Sequence, residues 1–130
     1  MEDPKRRPTR QRILLADDHA TVVEALRSLL SESYDVIGIV PDGRALLAEA
    51  IKLRPDVIVL DIGMPLLNGL DAAIRLKELL PSAKLVFLTM KDDPNLAAAA
   101  LNLGTIGYVL KHSAASELLK AISEVNSRRI

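Results

Sequence analysis

Five side chains in this sequence have the types and positions to do chemistry together: Asp17, Asp18, Asp61, Thr89 and Lys111. Each closes or directly follows a short apolar run. Asp17-Asp18 follows Ile13–Ala16, Asp61 follows Val57–Leu60, Thr89 ends Leu85–Thr89, and Lys111 follows Gly107–Leu110. If those runs are neighbouring parallel strands, three carboxylates converge on one rim. Ionised carboxylates repel; at an effective dielectric near 20, a pair about 4 Å apart costs roughly 4 kcal/mol. Such a cluster persists when a divalent cation, a lysine or a bound proton compensates it. Oxygen donors point to a hard cation, Mg²⁺ before Ca²⁺. Lys111 supplies a further positive charge and Thr89 a hydroxyl at the same rim. Alone, an aspartate after a strand is usually a cap or turn residue, and a strand-end lysine is usually solvated. The combination on four strand ends is what points to a site. His19 and His112 flank this rim, and both read as solvated surface positions.

The elements that must position these residues follow from periodicity. Short β-rich runs at Ile13–Ala16, Tyr34–Val40, Val57–Leu60, Leu85–Thr89 and Gly107–Leu110 alternate with segments of helical period. Ala20–Ser31 sets Val22, Ala25, Leu26, Leu29 and Leu30 on one face. Asp42–Lys52 does the same with Ala45, Leu46, Leu47, Ala48 and Ile51, and Gly69–Leu80 with Leu70, Ala73, Ile74, Lys77 and Leu80. Two further helices are expected over Pro94–Leu103 and Ser113–Ser127. Asp93-Pro94 is an N-cap followed by proline at the first helical position. Arg54-Pro55 and Leu80-Pro81 each close a helix, because a residue before proline disfavours helical dihedrals; Asn102 and Gly104 mark another stop. Alternating strands and helices imply a parallel sheet covered on both faces. The fold class is therefore α/β, a doubly wound five-stranded sheet of the flavodoxin-like order 2-1-3-4-5. In that order strands 1 and 3 adjoin, and ligands bind at the switch point outside their carboxyl ends.

Composition sets the outer limits. The 130 residues make one domain of ordinary size, and 49% apolar content is enough for a core. Aromatics are only 2%, so that core is aliphatic. The formal net charge of zero argues against a chain built mainly to hold nucleic acid. Without cysteine there are no disulfides, thiolate nucleophiles or cysteine zinc sites. No apolar run reaches the roughly 18–20 residues needed to span a bilayer, and no secretory signal opens the chain. A cytoplasmic setting without membrane contact is expected. Residues 1–11, with Pro4, Pro8, Lys5, Arg6, Arg7 and Arg10, read as a flexible basic arm, and 12–128 as the folded domain.

From about Ile13 to Val125 the chain resembles the response-regulator receiver domains of two-component systems. The segments "ILLADDHATVVEALRSLL", "PDVIVLDIGMPLLNGLDAAIRL", "LVFLTM" and "GYVLKHSAASELLKAI" carry the resemblance. The last two are most similar to receivers of the NarL/FixJ subfamily, which precede a LuxR-type helix-turn-helix. The resemblance implies that Asp61 accepts a phosphoryl group from a sensor histidine kinase or phosphotransfer protein. It implies Mg²⁺ held by Asp18, Asp61 and the backbone carbonyl of Gly63, with Asp17 acting through water. Lys111 and Thr89 would contact phosphoryl oxygens, and Tyr108 would turn inward as Thr89 is drawn to them. Two departures stand out. His112 occupies the place after the lysine where many relatives have proline, so no cis bond is expected there. Gly63 offers no side chain two residues after Asp61, so the lifetime of the phosphorylated state is not set there.

Rival readings lack their key residues. A haloacid-dehalogenase-type enzyme needs a second aspartate where Gly63 stands, and a flavodoxin needs a phosphate-binding loop where Asp17-Asp18-His19 stands. A pseudo-receiver that only binds proteins would not need all five pocket residues. Val23 and Leu119 fall outside the expected core faces, suggesting a homodimer patch on the first and last helices. No helix-turn-helix follows the last helix, so DNA would be reached only through an effector domain outside this chain. The alternative is a stand-alone receiver acting through protein contacts.

Overall fold

The computed structural model describes residues 10–64, 66–90, 94–103 and 106–127. Its elements run β1 (Arg12–Ala16), α1 (Ala20–Ser31), β2 (Asp35–Val40), α2 (Gly43–Leu53), β3 (Val57–Asp61), α3 (Gly69–Leu79), β4 (Lys84–Thr89), α4 (Pro94–Asn102), β5 (Ile106–Leu110) and α5 (Ala114–Ser127), with a 3₁₀ turn over Lys111–Ser113. The strands form one sheet in the order β2-β1-β3-β4-β5, and every pairing is parallel. This is the expected doubly wound arrangement. The expected arm falls almost wholly outside the described residues, as do the Asp93 cap and the Gly104 stop.

Strand side chains alternate between two apolar layers, as the two-residue period of a pleated strand requires. Leu14, Ile58, Leu60, Leu85 and Phe87 face one way and meet Leu46 and Ala50 of α2, Ala72, Ala73 and Leu76 of α3, and Ala100 of α4. Ile13, Leu15, Val57, Val59, Val86 and Leu88 face the other way and meet Val23, Leu26 and Leu30 of α1 and Leu118, Ile122 and Val125 of α5. All five β3 residues are buried, because a central parallel strand is covered on both sides. Burying a leucine such as Leu46 or Leu76 contributes about 1.5–3 kcal/mol each.

The helix faces differ in detail from the periodicity reading. On α1 the buried residues are Val23, Leu26 and Leu30, while Ala25 is exposed. Adjacent Val22 and Val23 fit the period equally well, and packing against β1 and α5 selects Val23. That burial removes Val23 from any dimer patch, a correction to the expected homodimer surface; Leu119 is only partly buried against the same layer. On α2 and α3, Ile51 and Ile74 face solvent, whereas Ala50 and Leu76 are buried.

The starts of α2 and α3 are fixed by side-chain caps. Asp42 accepts a hydrogen bond from the Ala45 N–H at 2.8 Å, and Asn68 accepts one from the Asp71 N–H at 2.9 Å. Two glycines permit close approach behind the site. A Cβ on Gly69 would lie 2.3 Å from the carbonyl oxygen of Asp61, and one on Gly43 would lie 1.9 Å from that of Leu67. The β3–α3 loop is thereby clamped between the starts of α2 and α3.

Candidate functional site

β1 and β3 are hydrogen-bonded neighbours, so their carboxyl ends put Asp17-Asp18 beside Asp61. Lys111 follows β5, two strands away, and spans the rim to reach both. Its Nζ lies 3.0 Å from Asp61 Oδ2, 3.0 Å from Asp17 Oδ1 and 2.9 Å from Asp17 Oδ2. Asp17, Asp61 and Lys111 are all buried, as is Thr89 at the end of β4. An ion pair removed from water in this way needs its other lone pairs satisfied as well. Asp61 Oδ1 accepts the Gly63 N–H at 3.0 Å, and Asp17 Oδ1 accepts the His19 N–H at 2.9 Å. Asp17 Oδ2 is different. It is fully buried and has no hydrogen bond, because the Lys111 ammonium beside it is out of line.

Asp18 is the partly open carboxylate, with 36% of its side chain exposed. One ligand atom from each of Asp17, Asp18, His19 and Asp61 lies within 4.8 Å of all the others. Buried carboxylates, one orphaned oxygen and a solvent-facing fourth member fit a divalent cation bound from the open side. Gly63 is exposed beside Asp61, and a Cβ there would sit at an ordinary 3.7 Å from Asp61 Oδ1. Tyr108 on β5 is half-buried and packs against the layer under α2, α3 and α4. The structure thus brings Lys111 into contact with Asp17 and Asp61 and sets a ligand atom of Asp18 within 4.8 Å of theirs. Thr89 sits at the same rim, Gly63 beside Asp61, and Tyr108 one strand further out. His112 is exposed, as expected, and no cis peptide bond occurs among the described residues.

His19 is the residue that sequence reasoning misplaced. Its side chain is 54% exposed, but Nδ1 enters the cluster, 3.0 Å from Asp17 Oδ1, 3.2 Å from Asp18 Oδ1 and 3.8 Å from Asp61 Oδ2. It is not a merely solvated surface position. The available signal was its place directly after the paired aspartates, at the N-cap of α1.

A doubly wound sheet whose switch point holds paired aspartates, a third aspartate and a bridging lysine presents an acidic site where a nucleotide-binding fold would carry a phosphate loop. Residues 13–123 match the response regulator receiver domain family. The transcriptional regulatory protein LnrK of Bacillus subtilis is 38% identical over 118 residues, covering 89% of this chain and 54% of that protein. The signal receiver domain of the response regulator NarL from Mycobacterium tuberculosis superposes with a TM-score of 0.84 at 31% identity, covering 93% of this chain and 100% of that one. The isolated receiver domain of RcsB from Salmonella enterica serovar Typhimurium, solved with the phosphomimetic BeF3⁻, gives a TM-score of 0.83 at 29% identity, covering 94% and 93%. The chain belongs to the response-regulator receiver domains of two-component systems, and its relatives are of the LuxR type. It spans about half the length of the curated relatives it matches.

Proposed function

We propose that this domain accepts a phosphoryl group on Asp61 from a sensor histidine kinase or phosphotransfer protein, and that the acyl phosphate switches its surface. The observation that carries this reading is the state of Asp61. It is a buried carboxylate oriented at both oxygens, by Lys111 and by the Gly63 N–H, at the rim where this fold binds ligands. In the transfer, an Asp61 oxygen attacks phosphorus, the P–N bond of the donor imidazole breaks, and its electron pair leaves with the imidazole. Transfer of this kind depends on positioning and charge neutralisation more than on covalent help. Lys111 is placed to pair with a phosphoryl oxygen without moving far, and Thr89 offers a hydroxyl from the end of β4. When bound, Mg²⁺ neutralises charge on the carboxylates and the incoming phosphoryl group. Asp18, Asp61 and the Gly63 carbonyl would hold it, with Asp17 acting through water; the orphaned Asp17 Oδ2 supports that role. The domain promotes its own phosphorylation and dephosphorylation rather than turning over a separate substrate.

In this reading the signal passes from Thr89 to Tyr108, a half-buried residue packed against the same layer as α4. Output is regulation of transcription through an effector domain that binds DNA, in keeping with LnrK being a transcriptional regulatory protein. A cytoplasmic setting follows from the same reading, and no helix among the described residues is long and apolar enough to cross a membrane. A homodimer through α1 and α5 retains Leu119 as its testable contact; sedimentation unchanged by Leu119→Glu after phosphorylation removes it. The main test is incubation with Mg²⁺ and a small phosphodonor, read by intact mass. One acid-labile phosphoryl group is expected, absent in Asp61→Ala. No adduct, or one that survives Asp61→Ala, overturns the reading.

A further inference from the structure

The pole of the sheet opposite Asp61 holds a second concave site, which phosphoryl transfer does not use. It is a groove of about 330 Å³ at the N-terminal ends of β1, β3 and β4, lined also by Asn126 from the last turn of α5. That volume lies at the low end of the range for ligand sites. Three kinds of group line it. Leu79, half exposed, and the exposed Pro81 form an apolar ledge over the buried Pro55 and Leu80. Arg54 and Lys84 set two cations against one carboxylate, Asp56, whose Oδ2 already accepts the Arg12 N–H at 2.8 Å. Asn126 donates Nδ2 to Gln11 Oε1, while its Oδ1 is buried and has no hydrogen bond.

Arg54 stands at this groove against local preference. It is the C-cap of α2 with φ 50° and ψ 63°, a left-handed conformation that glycine or asparagine usually fills. Pro55 explains why the right-handed helix stops there, since it disfavours helical dihedrals in the residue before it. It does not explain an arginine where glycine would be unstrained. What arginine adds is a guanidinium at the groove. The backbone beneath it is anchored, because the Arg54 carbonyl accepts Arg12 Nη1 at 3.1 Å. Lys84 is anchored in the same way, its N–H donating to the Asp56 carbonyl at 2.9 Å.

We propose that this groove binds an extended acidic peptide segment of a partner protein, one that carries carboxylate and apolar side chains in alternation. Its carboxylates pair with Arg54 and Lys84, and an apolar side chain covers Leu79 and Pro81. Its backbone meets Asn126. A peptide group has both a donor and an acceptor, so it satisfies the free end of the Asn126 amide whichever way that amide is turned. Other ligands match fewer of these features. Inorganic phosphate or a nucleic-acid backbone answers the two cations and leaves the apolar ledge in water. A basic peptide meets like charge. The groove and the Asp61 pocket lie at opposite ends of the strands, so the partner docks without occupying the phosphoacceptor site.

The test titrates the isotope-labelled chain with a capped peptide of alternating glutamate and leucine, followed by nuclear magnetic resonance. Saturable shifts are expected at Arg54, Asp56, Ser82 and Lys84 and at the side-chain amide of Asn126. Affinity should fall about tenfold in Arg54→Gly and in Lys84→Gln, each of which removes a charge-assisted hydrogen bond. Arg54→Gly is the sharper variant. Glycine takes the left-handed backbone without strain, so binding is lost while thermal stability is kept. Both variants should still take a phosphoryl group on Asp61 from a small phosphodonor, which separates this groove from the phosphoacceptor pocket. A probe with an N-methylated backbone should bind more weakly and leave the Asn126 amide unshifted. The proposal is overturned by an absence of saturable shifts at the groove, or by equal binding of a peptide with glutamine in place of glutamate. A stronger response to duplex DNA or inorganic phosphate than to the peptide overturns it as well.

Discussion

Replacing Lys111 by methionine tests the electrostatic design of the pocket directly. Methionine keeps most of the length and apolar stem of lysine, so the cavity left behind is small. What changes is the charge between Asp17 and Asp61, each with an oxygen 3.0 Å from Nζ in the native protein. The ligand oxygens of those two aspartates lie no more than 4.8 Å apart. At an effective dielectric near 20, two unit charges at that separation repel by about 3.5 kcal/mol. Removing one partner from a buried ion pair generally costs about 3–5 kcal/mol, in the same range. Lys111→Met should therefore lower unfolding stability by about 3–5 kcal/mol in chelator, a large part of the usual 5–15 kcal/mol for a domain. Urea denaturation followed by circular dichroism measures it. Added Mg²⁺ should narrow the deficit, because a bound cation takes over part of the neutralisation. Asp61→Asn in the methionine background should recover part of it too, since it removes one of the two opposed charges. A Lys111→Met protein within about 0.5 kcal/mol of the parent in chelator would refute the reasoning.

Three further substitutions probe the scaffold. Gly69→Ala forces a Cβ to within 2.3 Å of the Asp61 carbonyl oxygen, a backbone clash that cannot relax cheaply. A loss of at least about 3 kcal/mol is expected in urea, together with slower phosphorylation of Asp61. Leu66 is 70% exposed and holds a left-handed φ of 68°. Since that region costs a side-chain-bearing residue about 1–2 kcal/mol, Leu66→Gly should gain up to about 1 kcal/mol after glycine's extra unfolded-state entropy. Asp42→Ala removes the α2 cap and should cost about 1 kcal/mol, read by the same denaturation.

Much of this architecture was legible because local signals and topology agree. The continuous apolar run Val57–Leu60, bounded by Pro55 and Asp61, is unambiguous as a buried parallel strand. Once strand order was fixed, Asp17, Asp18, Asp61, Thr89 and Lys111 had to share a rim, and they do. Helix faces were less legible. Val22 and Val23, or Ile51 and Ala50, differ by one residue, and neither volume nor period decides between them without the opposing surface. His19 escaped for another reason. Its role depends on where a helix N-cap turns its side chain, and no spacing rule encodes that. The glycine clamp was hidden too, because a glycine's value lies in what stands next to it.

The long reach of Lys111 has a consequence for how this domain matures. Its bond to Asp17 closes a separation of 94 residues, and every ladder of the sheet is parallel, so each forms only across a helical crossover. Non-local pairings of this kind form late and slowly in folding. During synthesis β1 emerges first and β5 last, so the aspartates are exposed to solvent well before their lysine arrives. A nascent, truncated or partly unfolded chain carries Asp61 but not the pocket around it. Competence to receive a signal therefore coincides with completion of the fold.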